Sequence, residues 1–223
     1  MSAARFSTAI PFVASPNKSS RKGATVDCTV LHFTGSRPGV RGGADGDVSW
    51  LCDPKARASA HFVVGRDGAV TQIVALEEAA WHAGASALVD VGGALRANVN
   101  AFSIGIELDN LGPLYEVPGG FKFEAGGKLF PYVGPAPFEG SLVFDSGHKV
   151  AGYWEPYAEP QLHALERLLA ELRAGGYARA ASSLVGHEDV ALPIGRKIDP
   201  GPAFPWARFG SRVYARTRAE ATG

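Results

Sequence analysis

The chain has 223 residues, of which 22 are Lys or Arg and 22 are Asp or Glu, so its formal net charge is zero. Balanced charge argues against nucleic acid as a partner, because phosphate binding usually needs a basic face. A chain of this length buries about 70% of its unfolded surface, so it needs no disulfide framework to fold. Its two cysteines exclude a cysteine-rich zinc finger. No apolar run approaches the ~18 residues of a transmembrane helix.

We expect no secretory signal in the first residues. The longest apolar run there, Ala9–Ala14, is interrupted by Pro11, whereas a signal needs ~7–15 continuous apolar residues. We therefore expect a cytoplasmic protein. The alternative is a lytic enzyme that is released or exported by another route.

The first half of the chain predicts strands, a short helix and a hairpin. The β-branched run Val26–Thr34 predicts a buried strand, on which Cys28 shares a face with Val30 and His32. Residues 46–53 predict a short helix that ends at Pro54. A hairpin is predicted where GRDG separates two apolar runs, Ala60–Val64 and Ala69–Val74.

The second half predicts strands at Phe102–Leu108 and Leu184–His187 and helices at Pro160–Gly175 and Trp206–Thr217. The first of these helices has an apolar stripe at helical spacing, formed by Leu162, Leu165, Leu168, Leu169 and Leu172. Strands mixed with helices indicate an α/β (α+β) fold with a mixed central β-sheet flanked by helices.

A long stretch rich in Gly, Pro, Phe and Tyr, Leu111–Pro156, separates the two halves. Compact domains seldom carry structureless loops longer than about 15 residues. We interpret the stretch as an insertion within a single domain that spans residues 1–223, with a hairpin around Phe121–Tyr132. It either lines a binding groove or forms a surface excursion.

Three residues near predicted strand ends are candidate metal ligands. His32 lies near the end of the first strand, His187 ends a later strand, and Asp199 follows in the next loop. Two histidines and a carboxylate leave one position of a tetrahedral zinc ion open for water. The three residues can bind one ion only if the strands that carry His32 and His187 are neighbours in the sheet. The alternatives are a structural role for His32 and a turn cap at Pro200 for Asp199.

Glu107 and Lys197 are the candidate catalytic groups. Glu107 lies within the apolar strand sequence IGIEL, where a carboxylate is unfavourable unless it is paired or functional. It would act as a general base and then as a proton donor. Lys197 would stabilise an oxyanion, and the alternative is a solvated loop lysine.

Six segments together resemble the zinc-dependent N-acetylmuramoyl-L-alanine amidases of the peptidoglycan-recognition fold. They occur in the family's order and cover residues 15–110 and 155–206. They are SPNKSSRKG with TVLHFTGS, ASAHFVVGRDGAVTQIV, AWHAG, NAFSIGIELDN, EPYAEPQLHAL and GHEDVALPIGRKIDPGPAFPW. The joint occurrence of these segments with GRKxDPGPxFPW is highly specific.

The resemblance implies a zinc site at His32, His187 and Asp199. It also implies that Glu107 is the catalytic acid/base and that Lys197 stabilises the oxyanion. The expected reaction is hydrolysis of the amide between N-acetylmuramic acid and L-alanine in peptidoglycan or muropeptides.

The subgroup that the sequence resembles is that of the bacterial muropeptide-recycling amidases. Ala60 and Asp199 stand where the phage-lysozyme subgroup has a tyrosine and a cysteine. The loop HEDVALPIGRKID is longer than the corresponding family loop. Two alternatives are a phage endolysin or exported lytic effector with the same chemistry, and a non-catalytic peptidoglycan-binding module. A non-catalytic module would be expected to lack a metal ligand or the catalytic base.

Three further residues are candidates for substrate binding. His82, in the sequence WHAG, is expected at the groove wall, with packing as the alternative. Arg66 and Arg196 are expected to meet a carboxylate of the stem peptide, since arginine forks fit carboxylates, with surface solvation as the alternative. Trp50 is interpreted as a packing residue.

Overall fold

The computed structural model describes residues 6–36, 44–89, 93–144, 146–178 and 183–210. The strands in these ranges are β1 (Lys18–Ser20), β2 (Cys28–Phe33), β3 (Phe62–Val64), β4 (Val70–Gln72), β5 (Glu78–Ala80), β6 (Ala87–Val89), β7 (Leu95–Ala97), β8 (Ser103–Leu108), β9 (Pro113–Val117), β10 (Gly120–Ala125), β11 (Lys128–Pro131), β12 (Phe138–Val143), β13 (Lys149–Trp154) and β14 (Leu184–Gly186). The helices are α1 (Ala44–Leu51), α2 (Glu159–Ala174), α3 (His187–Val190) and α4 (Trp206–Phe209), with 3-10 turns at Pro54–Ala56 and Val99–Phe102.

A five-stranded mixed sheet with the order β14-β2-β8-β3-β4 forms the centre of the fold. Strands β14, β2, β8 and β3 run parallel to their neighbours, and β4 pairs with β3 in the predicted antiparallel hairpin. Across the β2–β8 pair, His32 lies opposite Glu107. The predicted fold class, a mixed central sheet with helices, is confirmed.

The two faces of the central sheet carry different residues because successive side chains of a strand point to opposite faces. Leu31 and Ile106 lie in the core that includes α2. Cys28 and Val30 lie in a separate cluster on the other face. His32 alternates with Leu31 and therefore points to the face of Cys28 and Val30, as predicted.

Helix α2 covers the first of these faces. Pro160 lies in its first turn, where the missing N–H needs no partner, and the chain turns away after Ala174 where Gly176 adopts a φ of +91°. Burial of each leucine of the predicted stripe contributes roughly 1.5–3 kcal/mol. No helix within the described ranges is long and apolar enough to cross a membrane. The buried leucines of the stripe are Leu162, Leu165, Leu168, Leu169 and Leu172.

Residues 111–156 form a second sheet, with the antiparallel order β11-β10-β9-β13-β12. Strands β10 and β11 are the hairpin predicted around Phe121–Tyr132. A small apolar cluster of Leu111, Leu114 and Phe123 stabilises this sheet. The stretch therefore contains regular structure of its own.

Several element boundaries differ from the predictions. Strand β14 ends at Gly186, so that His187 begins α3, whose turn is closed by the Asp189 carboxylate accepting the Gly186 N–H. The helix predicted at 46–53 begins earlier, at Ala44. The last helix ends at Phe209, and residues 211–217 of that prediction lie outside the described residues. The three-residue strands of the β1–β5 and β6–β7 pairs were not predicted because they are too short to show alternation.

His61 is buried between β3 and β8 as a neutral ring. Its Nδ1 accepts the Gly105 backbone N–H at 3.0 Å, and its Nε2 lies 3.0 Å from the Glu78 carbonyl oxygen. Burial, with a further contribution from Arg21, lowers the pKa of His61 to about 3. The folded protein therefore binds a proton at this ring much less readily than the unfolded chain does.

We expect acid to destabilise the fold through His61. Its pKa is about 3 when folded against 6.5 in the unfolded chain, so stability is lost as pH falls below 6.5. Each pH unit in this window lowers the free energy of unfolding by about 1.4 kcal/mol, or about 2 kcal/mol by pH ~5. Urea unfolding at pH ~7 and pH ~5 should show a smaller loss for His61→Gln than for the wild type. Equal losses in the two proteins would contradict this origin.

Candidate metal centre and active site

Three side chains from different elements meet at the carboxyl edge of the central sheet. His32 lies near the end of β2, His187 directly follows β14, and Asp199 lies in the loop after α3. Because β14 and β2 are parallel neighbours, their ends lie at the same edge of the sheet. One ligand atom from each buried residue lies within 4.8 Å of the other two. The structure therefore brings together the three residues that were predicted as ligands.

The three atoms form a nearly equilateral triangle. The distance is 2.9 Å between the two histidine Nδ1 atoms, 3.0 Å from His32 Nδ1 to Asp199 Oδ2, and 2.9 Å from His187 Nδ1 to the same oxygen. Ligand atoms about 2.0–2.1 Å from a tetrahedral zinc ion lie about 3.3 Å apart. A slight expansion of this triangle thus fits one face of such a site.

The electrostatics favour the protonation states that bind metals. Burial, together with the neighbouring His187, lowers the pKa of His32 to about 4, so the ring is neutral. Burial acts to raise the pKa of Asp199, but the short contacts of its carboxylate with the two histidine rings outweigh burial, so the pKa is lowered. A neutral imidazole and an ionised carboxylate are the forms that coordinate a metal.

Glu107 and Lys197 face the same site. Carboxylate oxygen Oε2 of Glu107 is buried and has no hydrogen-bonding partner among the described residues. Burial, then the charges of Asp199 and Asp47, raise the pKa of Glu107 to about 8. The charge of Lys197 opposes this shift. A carboxyl group that titrates near neutral pH is suited to proton transfer.

An open cavity of about 360 Å³ joins these groups to solvent. Its inner end is formed by the histidine and carboxylate groups, and its outer end by α1 and the neighbouring loops. The lining residues are His32, Phe33, Thr34, Ser36, Asp47, Trp50, Leu51, Ala58, Ser59, Trp81, His82, Glu107, His187, Lys197 and Asp199.

Residues of the 111–156 sheet do not line this cavity in the described part of the chain. The sheet instead packs against the loop that carries Lys197 and Asp199. The ring of His148 comes within 3.8 Å of the position of a Cβ on Gly195, and the ring of Trp154 within 2.8 Å of one on Gly201. The described contacts of this segment are thus with the loop, and the groove role stays a prediction.

Three residues at the outer wall of the cavity, Asp47, Trp50 and Trp81, were not predicted as site residues from the sequence. Asp47 is buried, and it lies one helical turn (i, i+4) before the buried Leu51 on α1, a signal by which it was detectable. Trp50 and Trp81 are 59% and 36% exposed. The interpretation of Trp50 as a packing residue is wrong, because most of its side chain faces the solvent at the cavity.

The two arginines predicted to bind substrate are not among the residues that line the cavity. Arg66 pairs with the buried carboxylates of Asp109 and Glu155, the latter at 2.8 Å. Arg196 donates to the backbone carbonyls of Ala83, Ala85 and Leu192. Both side chains are thus engaged in holding the fold.

His82 does line the cavity, but it is only 8% exposed. Both of its ring nitrogens contact protein groups, one at His32 and the other at Ser103. Its position is therefore behind a candidate ligand.

The fold is that of a known class of hydrolase. A family model described as N-acetylmuramoyl-L-alanine amidase (Amidase_2) matches residues 22–202. The chain belongs to this amidase family, and it is an enzyme of that class.

Among the relatives is the 1,6-anhydro-N-acetylmuramyl-L-alanine amidase AmpD of Escherichia coli K12. The two sequences are 30% identical over 200 residues, and the alignment covers 84% of this chain and 82% of AmpD. The chain is also 30% identical to the E. coli amidase AmiD over 82% of this chain and 51% of AmiD. A crystal structure of AmpD, at 28% identity, superposes with a TM-score of 0.60 over 94% of this chain and 97% of AmpD.

We expect Arg66→Met to lower stability and to leave substrate affinity unchanged. The substitution leaves two buried carboxylates without their cation, which lowers the free energy of unfolding by about 3 kcal/mol. Urea unfolding should show this loss, while the KM of the amidase reaction stays at its wild-type value. Lys55→Met, at an exposed position, is the control. A raised KM with unchanged stability would instead support the substrate-binding role.

Proposed function

We propose that this amidase hydrolyses the amide between the lactyl group of N-acetylmuramic acid and the L-alanine of the stem peptide, with zinc held by His32, His187 and Asp199. The observation that carries the proposal is the triangle of three buried ligand atoms at 2.9–3.0 Å. A cavity leads to it, and a carboxyl group and an ammonium group face it.

Two related structures support the substrate class. The AmiD structure, at 25% identity and a TM-score of 0.55 over 88% of this chain and 58% of AmiD, is a complex with the substrate anhydro-N-acetylmuramic acid-L-Ala-D-γ-Glu-L-Lys. The structure of AMPDH3 from Pseudomonas aeruginosa, at 25% identity and a TM-score of 0.53 over 94% of this chain and 65% of AMPDH3, is a complex with anhydromuramic pentapeptide. We infer that the present cavity takes a substrate of the same class.

A zinc ion at the three ligands would polarise the scissile carbonyl and acidify a water molecule. Glu107 accepts a proton from the attacking water and then donates it to the departing amine nitrogen of L-alanine. The raised pKa of Glu107, about 8, suits both directions of this transfer. Lys197 stabilises the oxyanion by donating a hydrogen bond from its ammonium group.

The outer end of the cavity suits the remainder of the substrate. The exposed rings of Trp50 and Trp81 offer flat apolar surfaces beside the candidate centre, and Asp47 offers a hydrogen-bond acceptor. Binding sites commonly combine such aromatic walls with a few polar groups that fix the orientation. We assign the sugar and the first stem residues to this wall.

Substitution of Glu107 separates catalysis from metal binding. Glu107→Gln keeps the three ligands, so zinc should remain near one per chain while turnover falls about 10²–10⁴-fold. Asp199→Ala removes a ligand and should lose both zinc and activity. Atomic emission beside the rate of muropeptide cleavage measures both effects. Loss of zinc from Glu107→Gln would mean that Glu107 is itself a ligand, and ordinary turnover would mean that it is not the base.

We propose soluble anhydro-muropeptides as the preferred substrate, because the AmpD amidases match this chain over more than four fifths of both sequences. Mass spectrometry after incubation with soluble muropeptides and with purified sacculi should show free stem peptide from the first and much less from the second. Release mainly from sacculi would favour the lytic alternative. Release from neither would favour a binding module. The cytoplasmic location stays a prediction.

A further inference from the structure

The sequence Trp81-His82-Ala83-Gly84 lies directly behind the candidate metal centre. The His82 ring lies between a candidate ligand and a serine hydroxyl and contacts both. Its Nδ1 is 3.0 Å from His32 Nε2, and its Nε2 is 2.9 Å from Ser103 Oγ. Ser103 Oγ in turn lies 2.7 Å from the Val99 carbonyl oxygen. Four groups thus form one continuous chain that ends at His32.

The hydrogens of this chain can point in two directions. If the Ser103 hydroxyl donates to the Val99 carbonyl, its oxygen accepts from His82 Nε2–H. Then His82 Nδ1 accepts from His32 Nε2–H, and a lone pair is left on His32 Nδ1. If every hydrogen bond between the side chains is reversed, His32 carries a hydrogen on Nδ1, the atom that faces Asp199 and His187.

The Val99 carbonyl decides between the two directions. A backbone carbonyl only accepts, so the hydrogen of its 2.7 Å contact with Ser103 comes from the hydroxyl, which has a single hydrogen. That hydrogen is then not available to His82. The first direction follows when a cation, and not a hydrogen, lies between His32 Nδ1 and Asp199, and it is the direction that leaves the ligand atom of His32 free.

We infer that His82 and Ser103 are positioning residues that fix the tautomer of His32 for metal binding. His82 is therefore not a substrate contact, as the sequence had led us to expect. This inference rests on the proposed zinc site. Partners behind ligand histidines commonly set the ring orientation and the protonated nitrogen.

The residue next to His82 does the same for the second histidine ligand. His187 Nε2 lies 3.2 Å from the Ala83 carbonyl oxygen, which accepts a hydrogen from it and leaves Nδ1 free. Arg196 holds this carbonyl and that of Ala85. Two consecutive residues, one through its side chain and one through its backbone, thus orient both histidines.

The surroundings hold His82 in place. The Asn100 side-chain oxygen accepts the backbone N–H groups of His82 and Ala83 at 3.2 and 2.8 Å. On β8, a Cβ at Gly105 would lie 2.4 Å from His82 Cγ. A glycine inside a central strand marks such a close approach, because any larger side chain would displace the ring.

Zinc affinity tests the inference. His82→Phe keeps an aromatic ring but removes both hydrogen bonds, so we expect about 10–100-fold weaker zinc binding in competition with a chromogenic chelator. His82→Asn keeps an acceptor on Cγ, where Nδ1 was, and should restore most of the affinity. Ser103→Ala should weaken binding, whereas Thr29→Val is its control. Thr29 has a buried hydroxyl without a hydrogen-bonding partner among the described residues. Wild-type affinity in His82→Phe would overturn the inference.

The tautomer itself can be measured without any variant. Long-range ¹H–¹⁵N spectra of the zinc-loaded wild type should show His32 and His82 both protonated on Nε2. A hydrogen on His82 Nδ1 would overturn the inference, even if His82→Phe does not fold. In the Asn variant His32 should keep the Nε2–H form.

Failure of the proposed function would give results different from failure of the positioning role. If the wild type binds no zinc, or cleaves no muropeptide, the assignment of the site is wrong, whatever the tautomers are. If the wild type binds zinc and cleaves muropeptides while His82→Phe matches its affinity, only the positioning role is rejected.

Discussion

The register of the parallel strands β14, β2 and β8 is the constraint on which the site depends. It sets His32 opposite Glu107, and it ends β14 one residue before His187. In a strand, a slip of one residue moves every side chain to the other face. Such a slip of β2 would turn His32 towards the leucines of α2 and expose Leu31 to the polar site. The packing of α2 on one face thus specifies the chemistry on the other.

Two carboxyl groups at this edge have pKa values shifted in opposite directions. The pKa of Asp199 is lowered by its short contacts with two histidine rings. Glu107 has one buried carboxylate oxygen without a hydrogen-bonding partner among the described residues, and its pKa is raised, which favours the neutral form. Separation of this kind is how neighbouring acids acquire different roles. One carboxylate is suited to hold a cation and the other to carry a proton.

Much of this arrangement was predictable from the sequence. Strand alternation gave the shared face of Cys28, Val30 and His32, and the resemblance of GRKIDPGP to a family segment pointed to Lys197 and Asp199. Local patterns, however, contain no information about long-range partners. The pairing of Arg66 with Asp109 and Glu155 was therefore missed, and Arg66 was taken for a substrate contact.

The role of His82 was hidden for a similar reason. The sequence WHAG shows that a histidine is present, but the hydrogens of its ring are determined by Ser103, which is distant in the chain and adjacent only in the fold. The boundary of α4 depended on the conformation of one glycine, Gly210. The protonation of a buried ring and the exact end of a helix can be assigned only in the folded structure.

Hydrogen bonds join the two ends of the 111–156 segment where it meets the central fold. The Leu111 N–H donates to the Glu155 carboxylate, and the Glu155 N–H donates to the Gly112 carbonyl. The chain therefore leaves the central fold and returns to it at one place. Doubling the length of a closed loop costs only about 0.6 kcal/mol. The 111–156 segment can accordingly become shorter or longer during evolution with little strain where it joins the central fold. The condition is that Trp154 still packs against Gly201 and so keeps the Asp199 loop in position.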